Sequence, residues 1–435
     1  MVELRVRAVR GDRCERARSR AAAPIVAAFA LACTLDNPAW DPPMGHSGGG
    51  TGTTTAAATT DPSPADWWDP AWRVRRPLTI HNPTDAALDD APVALLLTPA
   101  RFDYSAAAVD GRDLRVVASD GAQLDLEIER WAADAASTLW VRAPALPPGD
   151  TAVWLYWGNP DAAAAPVGDL WRAYAAVYHL ADALADDLRI RDARGDHDGH
   201  AYPTMGPASA TLGPLGGALR FAGADLLDPL VGDLVVVDDA PVDSDPWPGL
   251  TLEAWVRHGA PGEHRIVCRS PSILREAHVF ALGVHAPDGK TDGTDLYLRL
   301  GVDDTDAREY ITALGAITAG ADAAWHHVAA TWDGARVRVF VDGVIAPIRE
   351  GYASDTYADS FDQAGATLRD DPSPLTLANV NDTLASLDDV RFWIGELDEL
   401  RLAAVGRSPA WIRVQHLSMT DQLVDYSAAD EALDP

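Results

Sequence analysis

The acidic segment GELDEL, at residues 395–400, holds carboxyl groups whose spacing could support acid–base chemistry. Side chains two positions apart on a β-strand share a face, which predicts that Glu396 and Asp398 lie together and that Glu399 points to the opposite face. A retaining glycosidase uses two carboxyl groups about 5 Å apart, one as nucleophile and one as acid. Acid pairs on strands more often bind ions or form ion pairs. Catalysis by Glu396 and Asp398 is therefore the alternative hypothesis, and we assign no catalytic residue.

The segment DARGDHDGH, which begins at Asp192, adds Asp196 and Asp198 between flexible glycines. Calcium prefers oxygen ligands from flexible loops, so the segment predicts either a calcium site or a solvated turn. It is not an EF-hand loop, because that loop requires an oxygen donor where this sequence has His200. The spacing of His197 and His200 could suit zinc, but neither a cysteine nor a helix accompanies them.

Adjacent histidines occur in the segment WHHVAATWDGARVRVFV and raise the question of a metal site or a catalytic base. The alternating apolar residues on both sides of an Asp-Gly pair at residues 333–334 predict a β-hairpin with a two-residue turn. That turn would place Trp332 opposite Ala335. It would also direct His326 and His327 to opposite faces of the sheet, so the two imidazoles would not share a metal ion. We therefore interpret both histidines as structural.

Composition limits the classes of function. The chain has 435 residues, enough for two or three domains, and a formal net charge of −30. A surface this acidic repels phosphate backbones and anionic lipids, and the sequence shows no basic stripe. We therefore do not expect nucleic-acid binding. The sequence also lacks a nucleophile motif, a phosphate loop and a dinucleotide fingerprint.

The first 32 residues have the layout of an export signal, with an arginine-rich stretch and then an apolar run that is too short to span a bilayer. The run ends in ALAC, which resembles the lipobox of bacterial lipoproteins and implies that Cys33 carries lipid; ordinary cleavage after ALA is the alternative. Residues 33–64 are rich in Gly, Thr and Ala and predict a low-complexity tether. With the signal removed and Cys33 lipidated, Cys268 has no disulfide partner left, which predicts a buried, inert thiol.

Beyond residue 65 the chain consists of short alternating segments separated by Pro, Gly, Asp and Asn, a pattern typical of β-sandwiches and jelly rolls. Residues 65–165 have about the length of one sandwich domain. The predicted strands of this first module are RVRRPLTIHN, PVALLLT, DLRVVAS, LDLEIERW, TLWVRAP and TAVWLYWGNP. Helical patterns are scarce, so we predict an all-β fold.

Three blocks of the first module are similar to a known family: WWDPAWRVRRPLTIHN, FDYSAAAVDGRDLRVVASDGAQLDLEIERW and STLWVRAPALPPGDTAVWLYWGNPDA. They resemble a bacterial domain of unknown function that commonly precedes laminin-G-like domains in secreted proteins. The family implies no established chemistry for these residues. We interpret the tryptophans of its strands as packing side chains rather than as platforms for sugars.

The second module, residues 166–415, contains the blocks YHLADAL, GPLGGALRFAGA, LTLEAWVR, WHHVAATWDGARVRVFVDG and FWIGELDELRLAAVGRSPAWI. They resemble the laminin-G-like, concanavalin A-type jelly roll, which implies two stacked sheets. The resemblance also implies one calcium ion, held by an acid of the early loop and by the aspartate of the LDEL strand, here Asp192 and Asp398. Near the end, Ser408 as N-cap and Pro409 as first helical residue predict a short closing helix.

Together these features predict a β-sandwich followed by a concanavalin A-like (laminin-G-like) jelly roll, after a disordered N-terminal region and before a C-terminal tail at residues 416–435. The expected function is non-catalytic binding of carbohydrate or a surface glycoprotein through the jelly roll, with calcium as cofactor. We expect an exported protein, anchored by lipid to the outer membrane or cell surface or else secreted, that contacts the membrane only through the anchor. The alternatives are a glycoside hydrolase using Glu396 and Asp398, and a structural adhesin stalk without a ligand.

Overall fold

The structure, a computed structural model, describes residues 67–433 with gaps at residues 186, 225–230, 242–246, 261, 272–276, 286–293, 304, 314, 321–322, 380–390 and 427–428. The predicted signal peptide and tether, with Cys33, therefore lie outside the described residues. Within the described residues, no helix is both long enough and apolar enough to cross a membrane.

β-Strands dominate the described part of the chain, as the alternating pattern predicts. The strands up to residue 160 are β1 (Val74–Asn82), β2 (Leu88–Leu97), β3 (Arg115–Ala118), β4 (Leu126–Arg130), β5 (Ser137–Leu146) and β6 (Gly149–Trp157). The next are β7 (Ala176–Tyr178), β8 (Arg189–Ile190), β9 (Gly199–Ala201), β10 (Ala210–Leu212), β11 (Gly217–Ala222), β12 (Val235–Val237) and β13 (Leu250–His258). They are followed by β14 (His264–Arg269), β15 (Phe280–His285), β16 (Asp295–Leu300), β17 (Arg308–Thr312), β18 (His326–Trp332), β19 (Arg336–Val341) and β20 (Val344–Ala346). The last are β21 (Ile348–Glu350), β22 (Phe361–Asp362), β23 (Leu375–Leu377), β24 (Ile394–Ala403), β25 (Val424–Asp425) and β26 (Glu431–Ala432). The described helices are α1 (Pro409–Met419) and two 3-10 turns, Tyr104–Ala106 and Pro207–Ser209.

All six strands predicted for the first module are present, and they form two antiparallel sheets. The first sheet has the strand order β25-β1-β6-β3, and the second has the order β2-β5-β4. Leu78 and Leu155 from the first sheet and Val93 and Val141 from the second belong to one buried apolar cluster. The predicted β-sandwich is confirmed.

The end of the chain returns to this first sandwich. Two-residue strand β25 pairs with β1 at Thr79 and Ile80, and β26 pairs with β1 at Val74 and Arg75. Part of the segment that the sequence predicts to be a tail, residues 416–435, thus completes the first sheet. Strands of two residues carry no alternating pattern, so periodicity gives no sign of this pairing.

The second module consists of two larger antiparallel sheets. The first, which we call the β24 sheet, has the order β10-β11-β24-β13-β18-β19-β20, with β7 beside β24 and β22 beside β19. The other, the β15 sheet, has the order β21-β17-β16-β15-β14-β23-β12-β9-β8. Side chains of both sheets, among them Leu252, Leu282, Leu298 and Trp332, form one apolar core. The predicted jelly roll is confirmed.

The predicted hairpin of β18 and β19 is present, but its register differs from the prediction. Trp332 lies opposite Val337 rather than Ala335, so the two-residue turn is at residues 334–335. The carboxylate of Asp333 explains the shift, because it accepts hydrogen bonds from the backbone N–H of Ala335, at 3.1 Å, and of the next residue, at 2.7 Å. The shift is two residues long, so each side chain keeps its predicted face.

The two adjacent histidines have separate surroundings, as alternation along a strand requires. Nδ1 of His326 lies 2.9 Å from the carboxylate of Asp342. His327 is buried on the other face, with its ring beside those of Trp255 and His416. The prediction that the two side chains diverge is confirmed.

The closing helix α1 begins as predicted. Ser408 is its N-cap, the Ser408 side chain accepts a hydrogen bond from the backbone N–H of Trp411, and Pro409 is the first helical residue. The helix also contacts the first sandwich, because the Gln415 amide donates a hydrogen bond to the carbonyl of Pro92 at 3.1 Å. The sequence predicts the start of this helix but not its position between the two modules.

The apolar core of the first sandwich extends onto the second module, whose own inner core is a separate cluster. The buried cluster that fills the first sandwich also contains Trp255 and Phe340, from the outer face of the β24 sheet, and Ile412 of α1. The first sandwich therefore covers a large part of that face. Only the uncovered remainder of the face is available to a ligand.

Cys268 is a free thiol on β14. Its side chain is buried, and burial raises the pKa of the thiol to about 11. A thiol of such high pKa is mostly protonated at neutral pH. The prediction that Cys268 is buried is confirmed, and its lack of reactivity stays a prediction.

Candidate functional site

Strand β24, which carries GELDEL, is interrupted by a β-bulge. Against β13, Arg401 pairs with Glu253 and Asp398 pairs with Trp255, so β24 has one extra residue between these two pairs. Glu399 lies in this interval with a φ of 50°, a value uncommon for any residue except glycine. A bulge of this kind re-aims the side chain at which it occurs.

The bulge changes which side chains of GELDEL lie together. Glu396 and Asp398 pair with alternate residues of β13 and share a face, as predicted. Glu399 contacts Arg401 on that same face, so the prediction that Glu399 points to the opposite face is wrong. Strict alternation fails here because the extra residue shifts the pleat by one position.

Glu396 lies at the open end of this face, where two arginines bind it. Arg257 donates hydrogen bonds to both carboxylate oxygens, at 2.9 and 2.8 Å, and Arg220 donates one at 3.2 Å. The hydrogen bonds from Arg257 lower the pKa of the Glu396 carboxyl group. A carboxylate that is held ionised and paired in this way is poorly suited to act as a general acid.

A shallow cleft of about 300 Å³ opens beside Glu396. Arg220, Arg257 and Gly395 are among its lining residues. A side chain at Gly395 would collide with the chain, because its Cβ would lie 2.1 Å from the carbonyl of Arg257. The guanidinium of Arg257 lies 5.4 Å from the ring centre of Trp325. The cleft therefore combines hydrogen-bond donors, a carboxylate and a neighbouring indole.

Glu399 lies at the other end of the same face and is only 1% exposed. One carboxylate oxygen is 2.5 Å from Nδ1 of His179, and the other accepts a hydrogen bond from Nε of Arg401 at 3.0 Å. The Arg401 guanidinium lies 4.3 Å from the ring centre of Trp140 and donates to the side chain of Gln415 at 3.1 Å. This end of the face is closed by the first sandwich and α1.

Strand β4 of the first sandwich directs two more carboxylates at His179. A register shift against β5 makes Glu129 the extra residue of a second bulge. Its Oε2 accepts a hydrogen bond from the Trp140 indole at 2.8 Å and lies 3.8 Å from Nδ1 of His179. Oε2 of Glu127 accepts one from Trp171 at 2.6 Å and lies 3.7 Å from Nε2 of His179.

We call Glu127, Glu129, His179, Glu399 and Arg401 the interface cluster. Burial, with repulsion from Glu399, raises the pKa of Glu129 to about 7. Burial alone would raise the pKa of Glu399 as well, but His179 and Arg401 lower it to about 2. Burial alone would lower the pKa of His179, but Glu399 and Glu129 raise it well above its usual value. Without a metal ion, these shifts favour the protonated imidazole of His179 beside an ionised Glu399.

Asp398 is completely buried beside the loop that joins β10 and β11. A Cβ on Gly213 of that loop would lie 2.2 Å from an Asp398 carboxyl oxygen. Its carboxyl oxygens make no well-aligned hydrogen bond among the described residues, although the backbone N–H of Leu215 lies near enough to lower the pKa of the carboxyl group. Burial, with the charge of Glu399, raises the pKa of Asp398 well above its usual value. Burial therefore favours the protonated form of this carboxyl group, and a bound cation would favour the ionised form.

Asp192 organises the turn in which it lies. Its carboxylate accepts hydrogen bonds from the backbone N–H groups of Val177, at 2.9 Å, Arg194, at 3.1 Å, and His197, at 3.2 Å. Three donors leave about one acceptor position on this carboxylate for a cation. No contact between described residues joins Asp192 to Asp398, and their shared binding of calcium stays a prediction.

The remaining polar residues of DARGDHDGH have separate partners. Asp198 accepts a hydrogen bond from Nε of Arg189 at 2.6 Å. Nδ1 of His197 lies 2.7 Å from the carbonyl of Asp239, whereas His200 lies near the carboxylate of the neighbouring Asp238, at 4.0 Å. The two histidines thus do not converge on one point. Within the described part of the chain, the group of three side chains able to hold a metal ion is Glu129, His179 and Glu399.

Two families match the chain. Residues 232–403 match the family described as the concanavalin A-like lectin/glucanases superfamily. The chain carries a concanavalin A-like domain. Residues 110–174, which precede this domain, match the family described as a domain of unknown function, DUF2341. The order of domains implied by the sequence resemblance is confirmed. No curated protein matches the chain.

Solved structures similar to the chain include two toxin binding domains and a domain of a carbohydrate-active enzyme. The binding domain of Paraclostridial Mosquitocidal Protein 1 has 11% identity and a TM-score of 0.37, covering 57% of this chain and 52% of its own. The receptor binding domain of botulinum neurotoxin C/D mosaic serotype has 9% identity and a TM-score of 0.35, covering 56% and 51%. Domain 4 of AbnA, a GH43 extracellular arabinanase from Geobacillus stearothermophilus in complex with arabinotriose, has 15% identity and a TM-score of 0.33, covering 57% and 98%. The match spans about half the length of each toxin domain.

Local sequence patterns do not identify the residues of the interface cluster as a site. Glu129 comes from the first sandwich, and His179 and Glu399 come from the beginning and the end of the second module. No short motif links positions so far apart. The sequence LEIER does show two acids on one strand face, and HLADAL contains the histidine. Only the packing of the two modules against each other brings these side chains together.

Proposed function

We propose that this protein is a non-catalytic binding protein of the bacterial cell surface that recognises carbohydrate or a surface glycoprotein through its concanavalin A-like domain. The observation that supports this most directly is the cleft beside Glu396, at the end of the β24 sheet that the first sandwich leaves open. Arginine forks and a carboxylate can hydrogen-bond the hydroxyl groups of a glycan, and Trp325 beside them offers an apolar ring. These groups are held in place by their own ion pairs.

The alternative function, glycoside hydrolysis by Glu396 and Asp398, has weaker support. Hydrolysis needs both carboxyl groups at the sugar. Asp398 is 0% exposed, and Glu396 is bound by Arg220 and Arg257. We expect the purified protein to release no reducing ends from β-glucans. Turnover that Glu396→Gln abolishes and Arg336→Ala leaves intact would favour the hydrolase.

A glycan array with the purified full chain, with and without calcium, tests the binding proposal. We expect binding to one glycan class, and at least tenfold weaker binding in Arg220→Ala, which removes a side chain that lines the cleft. Arg336→Ala is the matched control, because Arg336 is also about half exposed and ion-paired, with Asp362, on the same sheet. Absence of binding to both glycans and surface glycoproteins would instead favour a structural stalk. Equal loss of glycan binding in Arg220→Ala and Arg336→Ala would mean that glycans do not bind in this cleft.

Export and lipidation at Cys33 complete the proposal, and they rest on the sequence of the N-terminal region. A lipid anchor before the tether at residues 33–64 would hold the binding domain at a cell surface. Mass spectrometry of the mature N-terminus should find Cys33 as a lipidated first residue. An unmodified Cys33, or a mature chain that starts elsewhere, would contradict the anchor and favour secretion.

A further inference from the structure

Two β-bulges, one in each module, aim carboxylates at the same histidine. Glu129 is the extra residue of the bulge in β4, and Glu399 lies in the bulge of β24 with its uncommon φ of 50°. A backbone conformation of this kind costs free energy and persists where the surroundings require it. Bulges are frequent where a side chain has to be re-aimed at a functional site.

The three side chains converge closely enough to share an ion. The ligand atoms of Glu129, His179 and Glu399 all lie within 4.8 Å of one another. From Nδ1 of His179, the nearest oxygen of Glu399 is 2.5 Å away and that of Glu129 is 3.8 Å away. Ligand atoms around a tetrahedral ion with bonds of about 2.0 Å are about 3.3 Å apart. Both distances are therefore within about 1 Å of those that an ion would impose.

Buried polar atoms of these side chains have unused bonding capacity. The Glu129 side chain is 1% exposed, and neither its Oε1 nor Nε2 of His179 has a hydrogen-bond partner among the described residues. Nε2 lies 3.7 Å from the carboxylate of Glu127. Histidines that bind a metal through one ring nitrogen usually direct the other N–H at a carboxylate or carbonyl. His179 has this arrangement, with Nδ1 facing Glu129 and Glu399.

The charges around His179 are unbalanced. Among the described residues, the carboxyl groups of Glu127, Glu129, Asp398 and Glu399 surround this point, and Arg401 is the arginine that pairs with one of them. Burying carboxylates without a compensating charge is costly. Protons on His179, Glu129 and Asp398 can supply that charge, and so can one divalent cation.

We propose that Glu129, His179 and Glu399 bind one divalent transition-metal ion, of the zinc class, at the junction of the two modules. An imidazole nitrogen with carboxylates suits zinc or manganese, whereas calcium takes six to eight oxygen ligands. The ion joins β4 of the first sandwich to β24 of the concanavalin A-like domain. This site is separate from the proposed glycan cleft and does not depend on it.

Metal retention by the untagged full chain tests this proposal. The protein is stripped with EDTA, incubated with one equivalent of zinc or cobalt at pH 7.5, dialysed, and analysed by elemental mass spectrometry. We expect about one zinc per chain, a rise in melting temperature, and a visible absorption band of four- or five-coordinate cobalt. His179→Gln and Glu129→Gln should each remove the retained metal and the cobalt band.

Glu396→Gln is the control, because Glu396 lies on the same strand but outside the interface cluster, and it should retain the metal. Glu127→Gln leaves all three ligands in place and should weaken zinc binding about 10- to 100-fold through the loss of the His179 partner. It provides a measurement if the ligand variants do not fold. The proposal is wrong if the parent protein retains no zinc, or if His179→Gln retains as much zinc as the parent.

Discussion

The two ends of β24 carry similar acids in opposite surroundings. Glu396 is itself 7% exposed, but the two arginines that bind it are 35% and 55% exposed and lie beside an open cleft. Glu399, three residues further along, is 1% exposed and is bound to Arg401 and His179 in the junction of two modules. Water weakens an ion pair at the first end, whereas burial makes each charge at the second end depend on its partners.

This difference shows that the role of a carboxylate on this strand depends on what covers it. At the open end, where the arginines contact water, we expect substitutions to be tolerated. The covered end holds the two modules together. Its buried carboxylates can be balanced by protons or, in our proposal, by a metal ion. The following predictions test the contrast, in decreasing order of expected effect.

Loss of the buried arginine should have the largest effect. Arg401→Met leaves Glu399 without its guanidinium partner, and we expect the free energy of unfolding to fall by about 3–5 kcal/mol, the usual cost of breaking a buried pair. Arg257→Met at the open end is the control and should cost about 1 kcal/mol or less. Urea denaturation of the full chain measures both. Similar losses in the two variants would refute the contrast.

Glu129 should make stability depend on pH. Its pKa is raised from 4.5 to about 7 in the folded state, so its contribution to stability is complete below about pH 4.5 and is lost as the pH rises through about 7. The full titration corresponds to about 3 kcal/mol. In EDTA, the melting temperature of Glu129→Gln relative to the parent should therefore increase between pH 5 and pH 8. A difference that is constant over this range would mean that Glu129 is ionised throughout.

Calcium should stabilise the protein if Asp192 and Asp398 share an ion. A ligand that binds only the folded state adds about 2.7 kcal/mol at a hundred times its dissociation constant. The melting temperature of the full chain should rise with calcium, and should stay flat in Asp192→Ala and in Asp398→Asn. Magnesium should substitute poorly, since it requires a tighter octahedron. If calcium leaves the parent unchanged, or if either variant keeps the full rise, the shared site is ruled out.

Glu396→Gln should have the smallest effect on stability. It removes a carboxylate whose own side chain is 9% exposed, but whose partners, Arg220 and Arg257, are 55% and 35% exposed and remain in contact with water. We expect a change of less than about 1 kcal/mol in the free energy of unfolding. Measurement by urea denaturation beside Arg401→Met compares the two ends of β24 directly. A loss of 3 kcal/mol or more would mean that the open end is as tightly coupled as the covered one.

Local sequence patterns predicted much of the fold. Alternating residues located all six strands of the first sandwich, an Asp-Gly pair located the β18–β19 hairpin, and Ser408 with Pro409 located the start of α1. These features depend on residues a few positions apart, whose preferences act through short-range sterics and hydrogen bonds. The predicted hairpin register was wrong by two residues because the Asp333 side chain accepts hydrogen bonds from the turn backbone. An alternating pattern of apolar residues does not reveal such hydrogen bonds.

The sequence by itself determined the all-β architecture, the order of the two modules and the acidic character of GELDEL. Only the tertiary structure decided that Glu399 turns towards Asp398 and Arg401, that His179 lies between carboxylates of both modules, and that the last strands join the first sheet. A bulge shifts one residue against a partner strand, and a shared core joins segments hundreds of positions apart. Both depend on which strands pair and which faces are covered, and the spacing of residues along one strand carries no information about either.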